Sequence, residues 1–81
     1  MIKVTTRSGT VLLVDEESQR FMRILPEGHD NPFTQHVPAS RWMGFIDHGP
    51  IEIGEVVWFN INSHPSVPWY QSSSVVKIEE V

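Results

Sequence analysis

Apolar and polar residues alternate with a period of two at both ends of this chain, the pattern of strands with one face in a core and the other in water. Residues 2–6 open it, with Ile2, Val4 and Thr6 on one face and Lys3 and Thr5 on the other. Arg7-Ser8-Gly9 follows as turn chemistry, because glycine takes the positive φ that tight hairpins often need. Residues 10–14 read as a second strand, β-branched at Thr10, Val11 and Val14. Residues 15–18 form a polar turn. Residues 19–25 then give a third strand, with Phe21 and Leu25 on one face and Met22 and Ile24 on the other. A helix over 16–25, capped by Asp15 or Ser18 and stopped at Pro26, fits the same apolar spacings. Two hairpin-like strands before it make a third strand the simpler continuation.

The alternation lapses over residues 26–40, where Pro26, Gly28, Asp30, Asn31, Pro32 and Pro38 break the chain and Phe33 and Val37 are the sizeable apolar anchors. A structureless loop of that length in a compact domain is often functional; the plainer reading is a surface loop tacked down by Phe33. Residues 41–46, with Trp42, Met43, Phe45 and Ile46, return to the sheet, and His48-Gly49-Pro50 interrupts them. Residues 56–61 carry the strongest strand signal, apolar on both faces: Val57, Phe59 and Ile61 oppose Val56 and Trp58. Such a strand is either buried on both sides or presents an apolar outer face. After a turn over 62–68 with Pro65 and Pro68, Trp69 and Tyr70 begin a short strand. Residues 74–80 close the chain, with Val76 and Ile78 expected inward and Lys77 and Glu79 outward.

These elements predict a mainly all-β domain: a small antiparallel sheet curled into a partly open barrel or roll, with at most one short helix. The expected core is Ile2, Val4, Val11, Leu13, Phe21, Phe45, Val57, Phe59, Val76 and Ile78. With 81 residues the chain has room for one domain, spanning 1–81, and a chain this short builds a thin core. Open edge strands would invite pairing with a second copy.

Composition narrows the function. The chain has no cysteine, which excludes disulfides and thiolate metal sites and favours an intracellular, cytoplasmic setting. Met1-Ile2-Lys3-Val4 runs straight into a strand pattern, unlike a signal peptide. No apolar run reaches the roughly 20 residues that span a bilayer. The net charge is −4, and the six basic residues, Lys3, Arg7, Arg20, Arg23, Arg41 and Lys77, are scattered. Nucleic-acid and anionic-membrane affinity rest on clustered cations, so neither partner is expected.

Candidate chemistry is sparse. Ser72, Ser73 and Ser74 supply hydroxyls and the four histidines supply bases, but no nucleophile-elbow context surrounds them. The serines fit a role in satisfying backbone groups. His29, His36, His48 and His64 match no zinc-ligand spacing, and neither a G-x-G-x-x-G nor a P-loop occurs. No catalytic residue, cofactor or metal is therefore assigned. The tryptophans and Tyr70 carry more weight, because Trp and Tyr combine large apolar area with a polar handle and concentrate at binding hot spots. Trp58, Val56, Trp69, Tyr70 and Trp42 are the candidate protein-interaction residues; the competing reading places the three tryptophans in the core.

The opening stretch Val4-Thr5-Thr6-Arg7-Ser8-Gly9-Thr10, the closing stretch Ser73-Ser74-Val75-Val76-Lys77-Ile78-Glu79 and Arg20-Phe21-Met22-Arg23 between them resemble short accessory proteins of actinobacteriophages, of the mycobacteriophage type. The resemblance covers about a third of the chain and implies context: a small protein made in the bacterial host cell, of a kind in which some members bind host proteins. It transfers no site residue. The function expected is that of a non-enzymatic phage accessory protein that binds and modulates a host protein. A virion or assembly component, and a small regulatory binding module unrelated to phage, are the alternatives.

Overall fold

The computed structural model describes residues 1–25, 40–61 and 69–81. Among them every regular element is a strand: β1 (Ile2–Thr6), β2 (Val11–Asp15), β3 (Arg20–Ile24), β4 (Trp42–Gly44), β5 (Asp47–His48), β6 (Val56–Asn60) and β7 (Trp69–Glu80). The strands form one antiparallel sheet of seven in the order β4-β3-β2-β1-β7-β6-β5. No helix of the described residues is long and apolar enough to cross a membrane.

The strand order dictates the shape. β4 and β5 lie at opposite ends of the sheet, yet only Phe45 and Ile46 separate them in the chain. A link this short spans only about 10 Å from Gly44 to Asp47, so the sheet must curl until its ends meet. Hydrogen bonds on both sides of the link hold it: Phe45 N–H donates to Gln19 O at 2.9 Å and Ile46 N–H to Asn60 O at 2.8 Å. The Gln19 side-chain amide donates to Ile46 O at 3.1 Å. β4 and β5 share no ladder, so the result is the partly open roll that the alternation predicts.

Inside the roll, Phe21 of β3 stacks on Phe59 of β6, with centroids 4.1 Å apart and planes 7° from parallel. Phe45 and Tyr70 complete the ring cluster, with centroids 6.3 and 5.8 Å from that of Phe21. Val4, Leu12, Val14, Val57, Ile61 and Val75 fill the space around them, and Ile2 packs against their margin.

Residues 20–24 are strand, which settles the helix alternative: Asp15 Oδ1 accepts from Ser18 N–H at 3.2 Å and turns the chain back instead of capping a helix. Other expectations need correction. Leu12 and Val14 face the core, not Val11 and Leu13. The hairpin sets Val4 opposite Leu12, and opposed residues share a face, so a one-residue offset inverts the whole strand. That offset comes from the turn, where Gly9 (φ 92°) is left-handed, Gly9 N–H donates to Thr6 O at 2.9 Å and Thr6 N–H to Thr10 O at 3.0 Å.

At the C-terminal strand, Val75 is buried and Val76 is 52% exposed. Thr5 pairs with Lys77 and Thr6 with Val75, leaving Val76 as the extra residue of a bulge. Ile78 lies opposite Val4 but is exposed; it falls beyond Ser74, where the pairing of β6 with β7 ends. Trp69–Tyr70 and 74–80, expected as separate strands, form one strand of 12 residues. The predicted 26–40 loop, with its Phe33 anchor, lies outside the described residues but for Ser40, and the 62–68 turn lies wholly outside them.

Candidate protein-interaction face

β7 is long enough to serve both halves of the roll because it bends. Its first half pairs with β6 and its second half with β1. A second register shift makes the bend: Val56 opposes Ser74 while Trp58 opposes Gln71, so β7 spends an additional residue there. Val57 N–H loses a ladder carbonyl at this point and donates to the buried Ser72 Oγ at 3.0 Å. Ser72 Oγ in turn donates to Ser73 O at 2.7 Å, and Ser73 Oγ accepts from Ser8 N–H at 3.2 Å. The serine run is thus built into the bulge.

β6 keeps strict alternation through the bend. Val57 and Phe59 point into the core, and Val56 and Trp58 point out. On β7, Tyr70 and Ser72 point in while Trp69 and Gln71 point out. With Trp58 opposite Gln71 and Asn60 opposite Trp69, the two indoles are diagonal neighbours on one outer surface, a spacing of roughly 7–8 Å between backbones. Trp58 is 38% exposed and Trp69 58%. Asp47 of β5 extends the row, accepting from the Asn60 side-chain amide and lying opposite Asn60 in the ladder.

Trp58 has a second, internal neighbour. A Cβ built on Gly49 would fall within 2.6 Å of its Cε2 and 2.8 Å of its Cδ1. Gly49 N–H also donates to Trp58 O at 2.9 Å. One side of the indole therefore covers the chain just after β5, the outermost strand, and the residue as a whole keeps 38% of its surface exposed.

Three of the candidate residues, Val56, Trp58 and Trp69, share this face. Tyr70 does not: it is 8% exposed, stacked on Phe21, and is corrected to a core residue by the alternation of β7. Burial pushes its hydroxyl above the usual tyrosine range, partly opposed by the charge of Arg23 and a hydrogen bond from it. Arg23 is 3% exposed with its guanidinium 5.8 Å from the Tyr70 ring centroid. Its alternation with Phe21 is the signal that places it inward. Trp42 lies at the far end of the strand order, half-buried, with the Arg20 guanidinium 4.4 Å from its ring centroid. Among the described residues its ring, unlike those of Trp58 and Trp69, is met by a guanidinium of the chain itself. Exposed Ile46 and Ile53, not singled out in the sequence, flank β5 and β6.

Of the groups considered for chemistry, His48 sits against Phe45 and Phe59, with ring centroids 5.4 and 5.7 Å away, and its Nδ1 is 2.6 Å from Gly49 O. Among the described residues no three His, Asp or Glu side chains come together as a metal site; His29, His36 and His64 lie outside those residues. No protein-family model, curated protein or solved structure matches the chain.

Proposed function

We propose that this chain is a non-enzymatic binding protein, a phage accessory protein that engages a bacterial host protein in the host cytoplasm through the outer face of β6 and the first half of β7. One observation carries the reading: Trp58 and Trp69 stand exposed as diagonal neighbours on the outer face where β6 pairs with β7. Large aromatic side chains left in water hold apolar area whose burial a partner can supply, and aromatic anchors with few rotatable bonds lose little entropy on binding. The phage context rests on the resemblance of the terminal hairpin and closing strand. Support for a non-catalytic role comes from Ser72, Ser73 and His48, whose polar atoms are engaged in the bulge and in the packing of β5.

The sheet edges offer less for self-association, since β4 and β5 are three and two residues long and short edges are poor templates for pairing.

Affinity capture from host lysate, run in parallel with wild type, Trp69→Ala and Trp42→Ala, tests the proposal. A host protein retained by wild type and Trp42→Ala but lost by Trp69→Ala, and then reconstituted as a purified binary complex, supports it. Retention by all three variants, or capture of phage structural proteins alone, rejects it.

A further inference from the structure

We infer that the Trp58–Trp69 face recognises a basic segment of its partner, one in which arginine or lysine alternates with apolar residues; this rests on the reading of that face as a protein-binding surface. The inference comes from where charge lies along the fold. From Trp42 to Val76 the chain carries no lysine or arginine, while Asp47, Glu52 and Glu55 fall within that span. It supplies β4, β5, β6 and the first half of β7, so every Lys, Arg, Asp or Glu among its described residues is one of those three acids. All three carboxylate residues are exposed, and no ion pair among the described residues engages them.

The other half of the molecule differs. Lys3 and Lys77 sit 3.6 and 2.8 Å from Glu79, and Arg20 sits 3.4 Å from Asp15. Lys3, Lys77 and Arg20 are thus met from within the chain, whereas Asp47, Glu52 and Glu55 have no ion pair among the described residues. An acidic or phosphorylated partner would be repelled from that side, and a purely apolar one would leave Asp47, which lies across Asn60 from Trp69 and accepts from the Asn60 amide, without a counter-ion. A guanidinium or ammonium group satisfies both features, lying over an indole face and near a carboxylate. The apolar residues between the cations would cover Val56 and the remaining indole surface.

The test uses the whole chain and two short capped peptides, one alternating arginine with valine, the other with glutamate in place of each arginine. Two-dimensional NMR follows the three tryptophan indole N–H signals. The arginine peptide should shift the Trp58 and Trp69 signals and leave Trp42 unmoved. It should bind at least tenfold more tightly than the glutamate peptide and weaken with added salt. Trp69→Ala should reduce its affinity at least tenfold without changing the fold. Equal shifts with both peptides would overturn the charge inference and leave the face a general protein-binding surface. Absence of shifts with either peptide at millimolar concentration would overturn the inference and count against that reading. Shifts at Trp58 and Trp69 that grow with protein concentration alone would assign the face to a second copy of the chain.

Discussion

Gly49 and Trp58 show how one residue's absence of a side chain supports another's position. The indole occupies the space a Cβ at Gly49 would need, so Gly49→Ala must push the ring off the β5 segment or move the backbone. Overpacking of this kind costs about 1–3 kcal/mol. Chemical denaturation of Gly49→Ala should show a loss in that range, with altered Trp58 fluorescence. Tyr70 makes a separate prediction. Its folded-state ionisation is raised by burial, so the protonated phenol contributes stability that is fully present below the ordinary tyrosine value of about 10. That contribution falls as pH rises from there through the higher folded value. Ultraviolet titration of tyrosinate should give a midpoint above the ordinary value in the folded protein, with the denaturation midpoint declining over the same alkaline range. A Tyr70 titrating like a free tyrosine would contradict its burial beside Phe21. The charge of Arg23 limits the shift without reversing it.

At the scale of elements, period and turn chemistry reveal most of the sheet. The inward faces of β1, β3 and β6 follow directly from Ile2, Val4 and Thr6, from Phe21, and from Val57, Phe59 and Ile61. β2 and β7 are harder, because their facing depends on register, and register is set where alternation gives no information: at Gly9 in the hairpin and at the two bulges of β7. A run of four consecutive apolar residues reads equally well in either phase, as Val11 to Val14 shows. Exposure of the outer face is legible in the sequence only as an excess of apolar residues on β6; that Trp69 joins it while Tyr70 does not depends on the register of the bent strand. Ser72 anchors that bend. Ser72→Ala removes the acceptor for the buried Val57 N–H, and an unsatisfied buried donor costs about 1–3 kcal/mol. The variant should unfold at correspondingly lower denaturant. A change within about 0.5 kcal/mol, ordinary for surface substitutions, would mean that the bulge does not depend on this hydroxyl.

At the scale of the molecule, the seven strands of the described residues close a thin core by bringing the two ends of one sheet together at Phe45 and Ile46. A sheet rolled on itself protects one face and leaves the other to water, which is why a strand apolar on both sides keeps an exposed aromatic surface. Charge is divided unevenly over that exterior, with all six basic residues outside the span from Trp42 to Val76. Neither half presents a basic cluster, so duplex DNA and RNA should not bind at physiological salt. A gel-shift assay with tight, salt-sensitive retention at micromolar protein would contradict this distribution. The role of the outer face depends on Trp69 acting in binding and not in folding. Trp69→Ala, with its denaturation midpoint measured beside its affinity for the captured host protein, separates the two roles. The structure predicts a stability change within about 0.5 kcal/mol, as at an exposed site, and an affinity loss of about 2 kcal/mol or more, roughly thirtyfold. A variant that unfolds readily while its folded fraction binds the host protein undiminished would contradict it.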